Sequence, residues 1–384
     1  MLAQEKYSYL QGCFDMRNKA NESLMGKLRT SVQRFTFHRH WASLTAANLR
    51  YYFSKKGNER EQITLKTLSD FKKDNRSADW QEDKTTIKDL LYSRAYYAVN
   101  GKEYYLFGLD QSKNEEKRDF VGWHELNYYY SVLNRSGAPE IFEYKEKTYA
   151  VFQKYYKREL IPFVAGEQKE SFLSFFDRHA SGIIKPVNDF GGHGIQIVSV
   201  KDQSPEEIWN RVSGQFPFIL EELIVQAPEM NAFYPHAVNT IRYNTFFHEG
   251  KLTRLQAVFR IGRGGSVVDN ATSGGIYALV DTETGRILGP ARSDLCEYFE
   301  CHPDTGAKFE GSLIPRWNEL NALLEELVRV VPEQKQVGWD FALSEKGWVM
   351  VEGNTTPALQ SFDLDHGLRP LLKASFGKAV KMWA

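Results

Sequence analysis

Cysteine is scarce in this sequence, and so are the segments that would send a chain into or across a membrane. The 384 residues contain three cysteines, Cys13, Cys296 and Cys301, which are too few for a disulfide framework. No run of about eighteen apolar residues occurs, and the first residues lack a basic stretch followed by an apolar one. We therefore expect a cytoplasmic protein with no transmembrane segment.

An excess of charge of either sign is also missing. Lysine and arginine together number 49, as do aspartate and glutamate, so the formal net charge is +0. The whole surface therefore has no field that would attract a phosphate backbone, and we expect no nucleic acid partner. What the chain does have is apolar material, 42% of its residues, which is enough for a sizeable core. Its length corresponds to two or three domains of about 150 residues.

One local bias in charge lies between Met25 and Arg60. Eight basic residues there face a single acid, Glu59, and aromatic and leucine side chains lie between them. A basic amphipathic segment of this kind can lie on an anionic membrane surface. We favour the alternative, a solvated helix face packed on the rest of the protein, and keep peripheral membrane contact open.

The pattern of the sequence changes along the chain and predicts three parts. Residues 1–90 read as a helical region of unknown role, and residues 91–180 as a helical segment crowded with aromatic side chains. Residues 181–384 alternate β-rich runs with glycine-bearing turns, and we predict that they form a domain of their own. This mixture of strands, hairpins and helices favours an α+β fold over a doubly wound parallel sheet.

Within residues 181–384 the apolar periodicity predicts individual elements. The predicted elements are strands over 181–187, 195–200 and 216–224, a hairpin of 241–248 and 251–262, an amphipathic helix over 317–331, and a hairpin of 336–343 and 348–352.

Lys185 and a glycine-rich turn indicate a place for phosphate. Lys185 closes a β-rich run, and Gly191, Gly192, His193 and Gly194 precede the next run. Glycines let backbone N–H groups approach phosphate oxygens closely, and a lysine ammonium neutralises their charge. The turn matches neither a P-loop nor a dinucleotide-binding loop. If it holds phosphate, it does so as a lid between two strands, and a plain hairpin turn is the alternative.

Two further features lie at strand ends. Glu221 and Glu222 end an apolar run, where a linker between subdomains would present backbone groups to a purine. Acids that cap a helix or face solvent are the alternative. Arg242 begins one strand of the predicted hairpin, and Arg260 lies near the end of its partner. Guanidinium groups are natural partners of phosphate and carboxylate oxygens.

The C-terminal hairpin carries the sharpest signal. Asp340 and Glu352 lie twelve residues apart on its two strands, and Asn354 follows. In a short hairpin the two carboxylates lie nearly opposite each other, so two carboxylates and an amide oxygen converge. Two negative charges at so short a distance require a cation between them, and a set of oxygen ligands suits Mg²⁺. The alternative, an exposed acidic strand end, fits poorly with the apolar residues 349–351.

In order and spacing, Lys185 with its glycine turn, the segment 221–224, the two arginines and the C-terminal acidic set resemble the ATP-grasp superfamily. More narrowly, the chain resembles the sugar-transfer-associated ATP-grasp family, which is related to α-L-glutamate ligases. The segments that carry this resemblance are 239–242, 260–262, 269–275 and 337–340. It covers about residues 115–384.

The resemblance implies a fold in which two α+β subdomains hold ATP between them, with ATP and Mg²⁺ as cofactors. It also implies roles for individual residues. These are phosphate contacts from Lys147, Lys185, Gly191, Gly192, His193 and Gly194, adenine contacts from Glu221, Glu222 and Ile224, a ribose contact from Glu229, Mg²⁺ ligands Asp340, Glu352 and Asn354, and a catalytic set of Arg242, Arg260 and Lys185. Lys145 is an alternative to Lys147.

The activity that the resemblance implies is ATP- and Mg²⁺-dependent ligation of a carboxylate to an amine or a hydroxyl through an acylphosphate. The expected partners are a small-molecule carboxylate and an amine or hydroxyl acceptor, including a sugar-linked one. The expected setting is cell-surface polysaccharide or related metabolite biosynthesis. The alternatives are a small-molecule kinase on the same scaffold and a nucleotide-binding protein without turnover.

Overall fold

Two compact units make up the chain, one of residues 1–122 and 381–384 and the other of residues 123–380. The computed structural model describes residues 89, 93, 101–110, 112, 116–135, 137–164, 168–187, 194–294, 297–358 and 367–377. The basic segment between Met25 and Arg60 lies outside the described residues. The predicted division of the chain at residues 90 and 180 stays a prediction.

The first unit contains a short helix, α1 (Gly101–Leu106), and a 3-10 helix over Glu116–Asp119. Lys117 is buried and forms an ion pair with Asp89 at 2.5 Å. The rings of Phe107 and Phe120 stack with their centroids 5.6 Å apart.

The second unit is built from helices and antiparallel strands, which confirms the predicted α+β class. Its helices are α2 (Trp123–Leu133), α3 (Pro139–Glu143), α4 (Lys145–Tyr156), α5 (Lys169–Arg178), α6 (Pro205–Val212), α7 (Pro228–Asn231), α8 (Trp317–Leu327) and α9 (Arg369–Phe376). Its strands are β1 (Leu160–Phe163), β2 (Ser181–Pro186), β3 (Gln196–Ser199), β4 (Phe218–Glu222), β5 (Thr240–His248), β6 (Lys251–Ile261), β7 (Ile276–Val280), β8 (Ala291–Ser293), β9 (Tyr298–Phe299), β10 (Gln336–Ser344) and β11 (Gly347–Asn354).

Four strands form the small sheet, in the order β1-β4-β2-β3. The predicted strands over 181–187, 195–200 and 216–224 are confirmed as β2, β3 and β4, whereas β1 was not predicted. Apolar and aromatic side chains from the sheet and from α5 and α6 form one core, which includes Phe163, Phe172, Phe175, Trp209 and Phe218. Burial of this aromatic cluster holds the two helices on the sheet.

Seven strands form the large sheet, in the order β11-β10-β5-β6-β7-β8-β9. Both predicted hairpins, β5–β6 and β10–β11, are confirmed. The β5–β6 turn forms at Glu249 and Gly250, whose φ angles of 50° and 76° are both left-handed, and two such residues give the turn that matches the twist of paired strands. The apolar face of α8, which was predicted, packs into the main core with Trp317, Leu320 and Leu324.

No described helix combines the length and the apolar character that a membrane span requires.

Candidate active site

One row of polar side chains crosses the middle of the large sheet. Asp340 of β10 pairs with Glu352 of β11 on one side and with Arg242 of β5 on the other. Thr240, two residues before Arg242, pairs with Arg260 of β6. Directly paired residues project from the same face of a sheet. The hairpin register therefore brings together the residues that the sequence singled out, as predicted for Asp340 and Glu352.

Asp340 is held between two arginines. Its carboxylate accepts hydrogen bonds from Arg242, whose Nη2 lies 2.9 Å from Oδ2, and from Arg260, whose Nη2 lies 3.1 Å from the same oxygen. The Asp340 side chain is only 1% exposed. Burial raises the pKa of Asp340, but the two guanidinium groups more than offset this and keep the pKa below its usual range. Asp340 is therefore ionised at neutral pH.

Glu352 and Asn354 lie beside this pair of arginines. The Glu352 Oε1 atom lies 3.9 Å from Nη2 of Arg242, and the Glu352 side chain is 41% exposed. The Asn354 amide nitrogen donates to the same carboxylate oxygen at 3.1 Å. The three predicted metal ligands are thus neighbours on two adjacent strands.

A second buried aspartate, Asp269, lies at the other side of Arg260. Its Oδ2 atom is 3.6 Å from Nε of Arg260 and accepts hydrogen bonds from the backbone and the hydroxyl of Thr240. Burial raises the pKa of Asp269, and the nearby charge of Asp340 raises it further, although Arg260 and Thr240 act in the opposite direction. The two aspartates beside Arg260 thus have pKa values shifted in opposite directions.

Arg242, Arg260, Asp340, Glu352 and Asp269 form what we name the Asp340 cluster. Two guanidinium groups there meet three carboxyl groups. The described residues contain no group of three or more His, Cys, Asp or Glu side chains arranged to hold a metal. Two carboxylates with the Asn354 amide nevertheless form a hard oxygen donor set in a cluster with surplus negative charge, and this chemistry fits Mg²⁺.

A second set of charged side chains, which we name the Glu221 cluster, consists of Lys185 of β2, Glu221 of β4 and Arg158, which precedes β1. Glu221 and Arg158 are buried, and Lys185 is partly exposed. Lys185 Nζ donates to Glu221 Oε1 at 3.0 Å, and Arg158 donates to Oε2 through Nε at 3.1 Å and Nη2 at 3.0 Å. Burial raises the pKa of Glu221, but Lys185 and Arg158 together lower it below its usual range. One carboxylate therefore serves two cations.

A cleft lies at the hinge, where the chain leaves β4 towards the large sheet. Glu222 and Ile224, two of the residues predicted to contact adenine, line it together with Tyr156, Lys346 and Val349. The Glu222 carboxylate accepts from Lys346 at 2.7 Å. The Glu221 carboxylate, in contrast, is enclosed by Lys185 and Arg158.

The remaining predicted residues lie in several places. Lys147 lies on α4, where it forms an ion pair with Glu140 at 3.3 Å and lies over the ring of Tyr144. Glu229 is exposed on α7, close enough to Arg316 to affect its pKa. Gly194 has a left-handed φ of 71°. Gly191, Gly192 and His193 lie outside the described residues.

Sequence reasoning missed Arg158 and Tyr130. Arg158 follows α4 within the charged run Lys157-Arg158-Glu159, which is typical of an exposed segment, so no local signal marks it. Tyr130 on α2 is buried near Arg242 and donates from its hydroxyl to the carbonyl of Pro357 at 2.8 Å. Thr240 and Asp269 lie within motifs that the sequence had singled out, but their mutual hydrogen bonds had not been predicted.

Solved structures of several ligases are similar to this chain. They include D-alanyl-alanine synthetase A from Vibrio cholerae, with a TM-score of 0.39 and 15% identity over 64% of this chain and 66% of that one. An L-amino acid ligase from Bacillus licheniformis has a TM-score of 0.39 and 12% identity over 73% of this chain and 62% of that one. The chain thus spans slightly less than two thirds of the length of these two structures. No curated protein matches the sequence.

The family comparison covers most of the second unit. Residues 128–376 match the model of the family described as sugar-transfer associated ATP-grasp. This range contains both sheets, the Glu221 cluster, the Asp340 cluster and the hinge cleft, and it is more than half of the 384 residues. The chain belongs to the sugar-transfer-associated ATP-grasp family and has the ATP-grasp fold.

Proposed function

We propose that this protein is an ATP- and Mg²⁺-dependent ligase that activates a carboxylate as an acylphosphate and transfers the acyl group to an amine or a hydroxyl. The observation that carries the proposal is the convergence of Arg242 and Arg260 on Asp340, directly opposite Glu352. A carboxylate and a phosphoryl group repel each other, so an enzyme that joins them must neutralise both. Two guanidinium groups beside a metal-binding pair of carboxylates supply that neutralisation.

In this proposal the nucleotide lies between the two clusters. Lys185 binds the α- and β-phosphates, and residues 191–194 cover them with backbone N–H groups. The purine occupies the hinge cleft beside Glu222 and Ile224, where Val349 offers an apolar surface. Lys147 and Glu229 remain our candidates for a further phosphate contact and the ribose contact.

Asp340, Glu352 and Asn354 hold the magnesium ion in this proposal. When bound there, Mg²⁺ neutralises charge on the phosphates and shields the leaving diphosphate. Arg242 and Arg260 already neutralise Asp340 in the described state. Their guanidinium groups have further N–H donors that can turn towards substrate oxygens.

The reaction that we propose has two balanced steps. An oxygen of the substrate carboxylate attacks the γ-phosphorus, the bond from that phosphorus to the β,γ-bridging oxygen breaks, and ADP leaves. The amine or hydroxyl then attacks the acyl carbon, the bond to the phosphate oxygen breaks, and inorganic phosphate leaves while the nucleophile loses one proton. Arg242 and Arg260 orient the carboxylate in the first step and stabilise the negative oxygen in the second.

The substrates and the setting belong to the same proposal. We propose a small-molecule carboxylate and an amine or hydroxyl acceptor, one of them sugar-linked, and the family's description as sugar-transfer associated supports the sugar link. We accordingly propose a cytoplasmic role in cell-surface polysaccharide or related metabolite biosynthesis.

The test is ADP formation from ATP and Mg²⁺ with a panel of sugar acids and amino acids. Hydroxylamine added to the reaction should capture the acylphosphate as a hydroxamate, with one ADP formed per hydroxamate. A stable phosphorylated product that hydroxylamine leaves unchanged would instead identify a small-molecule kinase. Nucleotide binding without ADP formation across the whole panel would favour the protein without turnover.

A further inference from the structure

Arg158 is a buried arginine to which the proposed chemistry gives no role. Its side chain is 3% exposed and lies in the short link between α4 and β1. Nε and Nη2 donate to Glu221, and Nη1 donates to the carbonyl oxygens of Tyr156 at 3.3 Å and Met350 at 2.6 Å. The guanidinium also lies over the ring of Tyr156 at 4.5 Å. So many directed contacts fix the guanidinium in a single position.

The first consequence of Arg158 concerns charge. A lysine paired with a glutamate alone would form a neutral pair and offer little attraction to an anion. Arg158 donates to Oε2 of Glu221, and Lys185 donates to Oε1. The Glu221 cluster therefore has two positive charges and one negative charge. Lys185 is the more exposed of the two cations, at 14% against 3% for Arg158. The surplus charge is therefore accessible at Lys185.

Stability alone does not explain this surplus. A buried ion pair is roughly neutral for folding, and an additional buried cation is unfavourable unless something compensates it. A phosphate oxygen at Lys185 would supply the compensating negative charge.

The second consequence concerns the position of the two sheets. Glu221 lies in β4 of the small sheet, and Met350 lies in β11 of the large sheet, two residues before Glu352. Arg158 binds both, so one guanidinium sets the distance between Lys185 and Glu352 across the hinge. Tyr156, which packs on Arg158, lies near the charges of both Glu221 and Glu352.

We propose that Arg158 is a positioning residue that shares the charge of Glu221, leaves Lys185 positive for the nucleotide phosphates, and fixes Lys185 relative to Glu352. This inference rests on the proposed function, because it takes the anion at Lys185 to be a nucleotide phosphate. Arg158 acts on the phosphates through Lys185. Its side chain also lines the hinge cleft beside Glu222 and Ile224, so adenosine binding reports any direct contribution to the purine site.

The chemistry of this position requires arginine. A planar guanidinium donates to a carboxylate on one edge and to a carbonyl on the other, whereas an ammonium has no fixed geometry for both. Arg158→Lys should therefore keep the charge sharing and lose the link to Met350. Arg158→Met should lose both.

The experiment is calorimetric titration of ATP, ADP and adenosine without Mg²⁺ into the full chain and its variants. Arg158→Met should bind ATP and ADP more than about tenfold more weakly, a difference of about 1.4 kcal/mol, and adenosine nearly as well as wild type. Arg158→Lys should recover part of the phosphate affinity. Arg329→Met is the matched control, because Arg329 also pairs with a glutamate, Glu325, and with the carbonyl of Gly250 in the β5–β6 turn, at the opposite end of β5 from Arg242.

A double variant separates charge sharing from a general structural role. In Arg158→Met/Glu221→Gln no carboxylate remains to neutralise Lys185, so the affinity for ATP should rise above that of Arg158→Met. This variant also removes both buried partners together, which folding tolerates better than the loss of one. If Arg158→Met does not fold, the double variant is compared with Lys185→Ala, and it should bind ATP more tightly because Lys185 is present and has no carboxylate to neutralise it.

Two results would overturn this inference and leave the proposed function standing. One is a wild type that binds ATP while Arg158→Met binds it equally well, and the other is a double variant at least as weak as the single one. Equal losses for adenosine and ATP would likewise assign Arg158 a general structural role. A wild type with no affinity for ATP or ADP would overturn the proposed function and this inference with it.

Discussion

The small and the large sheet each bury a carboxylate between two cations, and the two arrangements differ in what surrounds them. Glu221 lies between Lys185 and Arg158, and no other acid of the described residues forms an ion pair with either cation, so the Glu221 cluster has a surplus positive charge. Asp340 lies between Arg242 and Arg260, but Glu352 and Asp269 add two more carboxyl groups. The Asp340 cluster therefore has a surplus of negative charge.

This difference shows how one local motif can serve two ligands. In both clusters the buried carboxylate is satisfied by cations and its pKa is lowered against the effect of burial. What remains to be neutralised is a positive charge on one sheet and a negative charge on the other. A phosphate chain with its metal ion would neutralise both, because it offers oxygen anions to Lys185 and a cation to Glu352.

The largest expected effect comes from removing the centre of the Asp340 cluster. Asp340→Asn removes the buried carboxylate that Arg242 and Arg260 share, whose side chains are 15% and 20% exposed, and loss of one partner of a buried pair costs about 3–5 kcal/mol. Urea unfolding at neutral pH measures the loss. Since the pKa of Asp340 is lowered, its contribution is complete above the unfolded-state pKa of about 3.9 and disappears as the pH falls through the folded-state value. Wild type and variant should therefore converge in acid, and a difference that persists there would contradict the account.

The next effect concerns ligand binding at the Glu221 cluster. Lys185→Ala should weaken ATP binding without Mg²⁺ by at least about tenfold, since an ammonium that faces phosphate contributes a charge-assisted contact. The fold should be retained, because Arg158 continues to pair with Glu221. Calorimetry together with a melting curve tests both statements. Lys154→Ala, which removes an exposed ion pair with Glu326, is the control. Equal affinities of the two variants for ATP would contradict a phosphate contact at Lys185.

The smallest effect compares the two aspartates directly. Because the pKa of Asp269 is raised, the folded state disfavours its ionised form, and Asp269→Asn should stabilise the protein at neutral pH by the order of 1 kcal/mol. The gain should shrink as the pH falls through the folded-state pKa of Asp269 and vanish below about 3.9, where wild-type Asp269 is protonated in both states. Unfolding midpoints of both proteins across pH 3–8 measure this. Destabilisation at neutral pH would show that Asp269 is held mainly by Arg260.

The sequence predicted those parts of the fold and site that depend on neighbouring residues. Hairpin β10–β11 follows from its apolar alternation and short turn, and its register then places Asp340 opposite Glu352. Hairpin β5–β6 likewise brings Arg260 beside Thr240 and close to Arg242. In each case turn chemistry and a period of two residues are encoded locally.

Local sequence patterns could not predict contacts between segments that lie far apart in the chain. Arg158 meets Glu221, 63 residues away, and Met350, 192 residues away, and nothing in its own charged surroundings marks it as buried. Strand β1 is short, contains Pro162 and lies at the edge of the small sheet, so it lacks a strong strand signal. Burial and partner choice at such positions are decided by the packing of the two sheets.

The central claim is that the two clusters serve one nucleotide from opposite sides, the Glu221 cluster through phosphate and the Asp340 cluster through a metal ion. Its most direct test is the affinity for ATP with and without Mg²⁺ in wild type, Lys185→Ala and Glu352→Gln. Without Mg²⁺, Glu352→Gln should bind ATP at least as tightly as wild type, because it removes a negative charge near the phosphates, and Lys185→Ala should bind weakly. Mg²⁺ should then tighten binding in wild type and Lys185→Ala, but not in Glu352→Gln. A Glu352→Gln protein that responds to Mg²⁺ as wild type does would contradict the account.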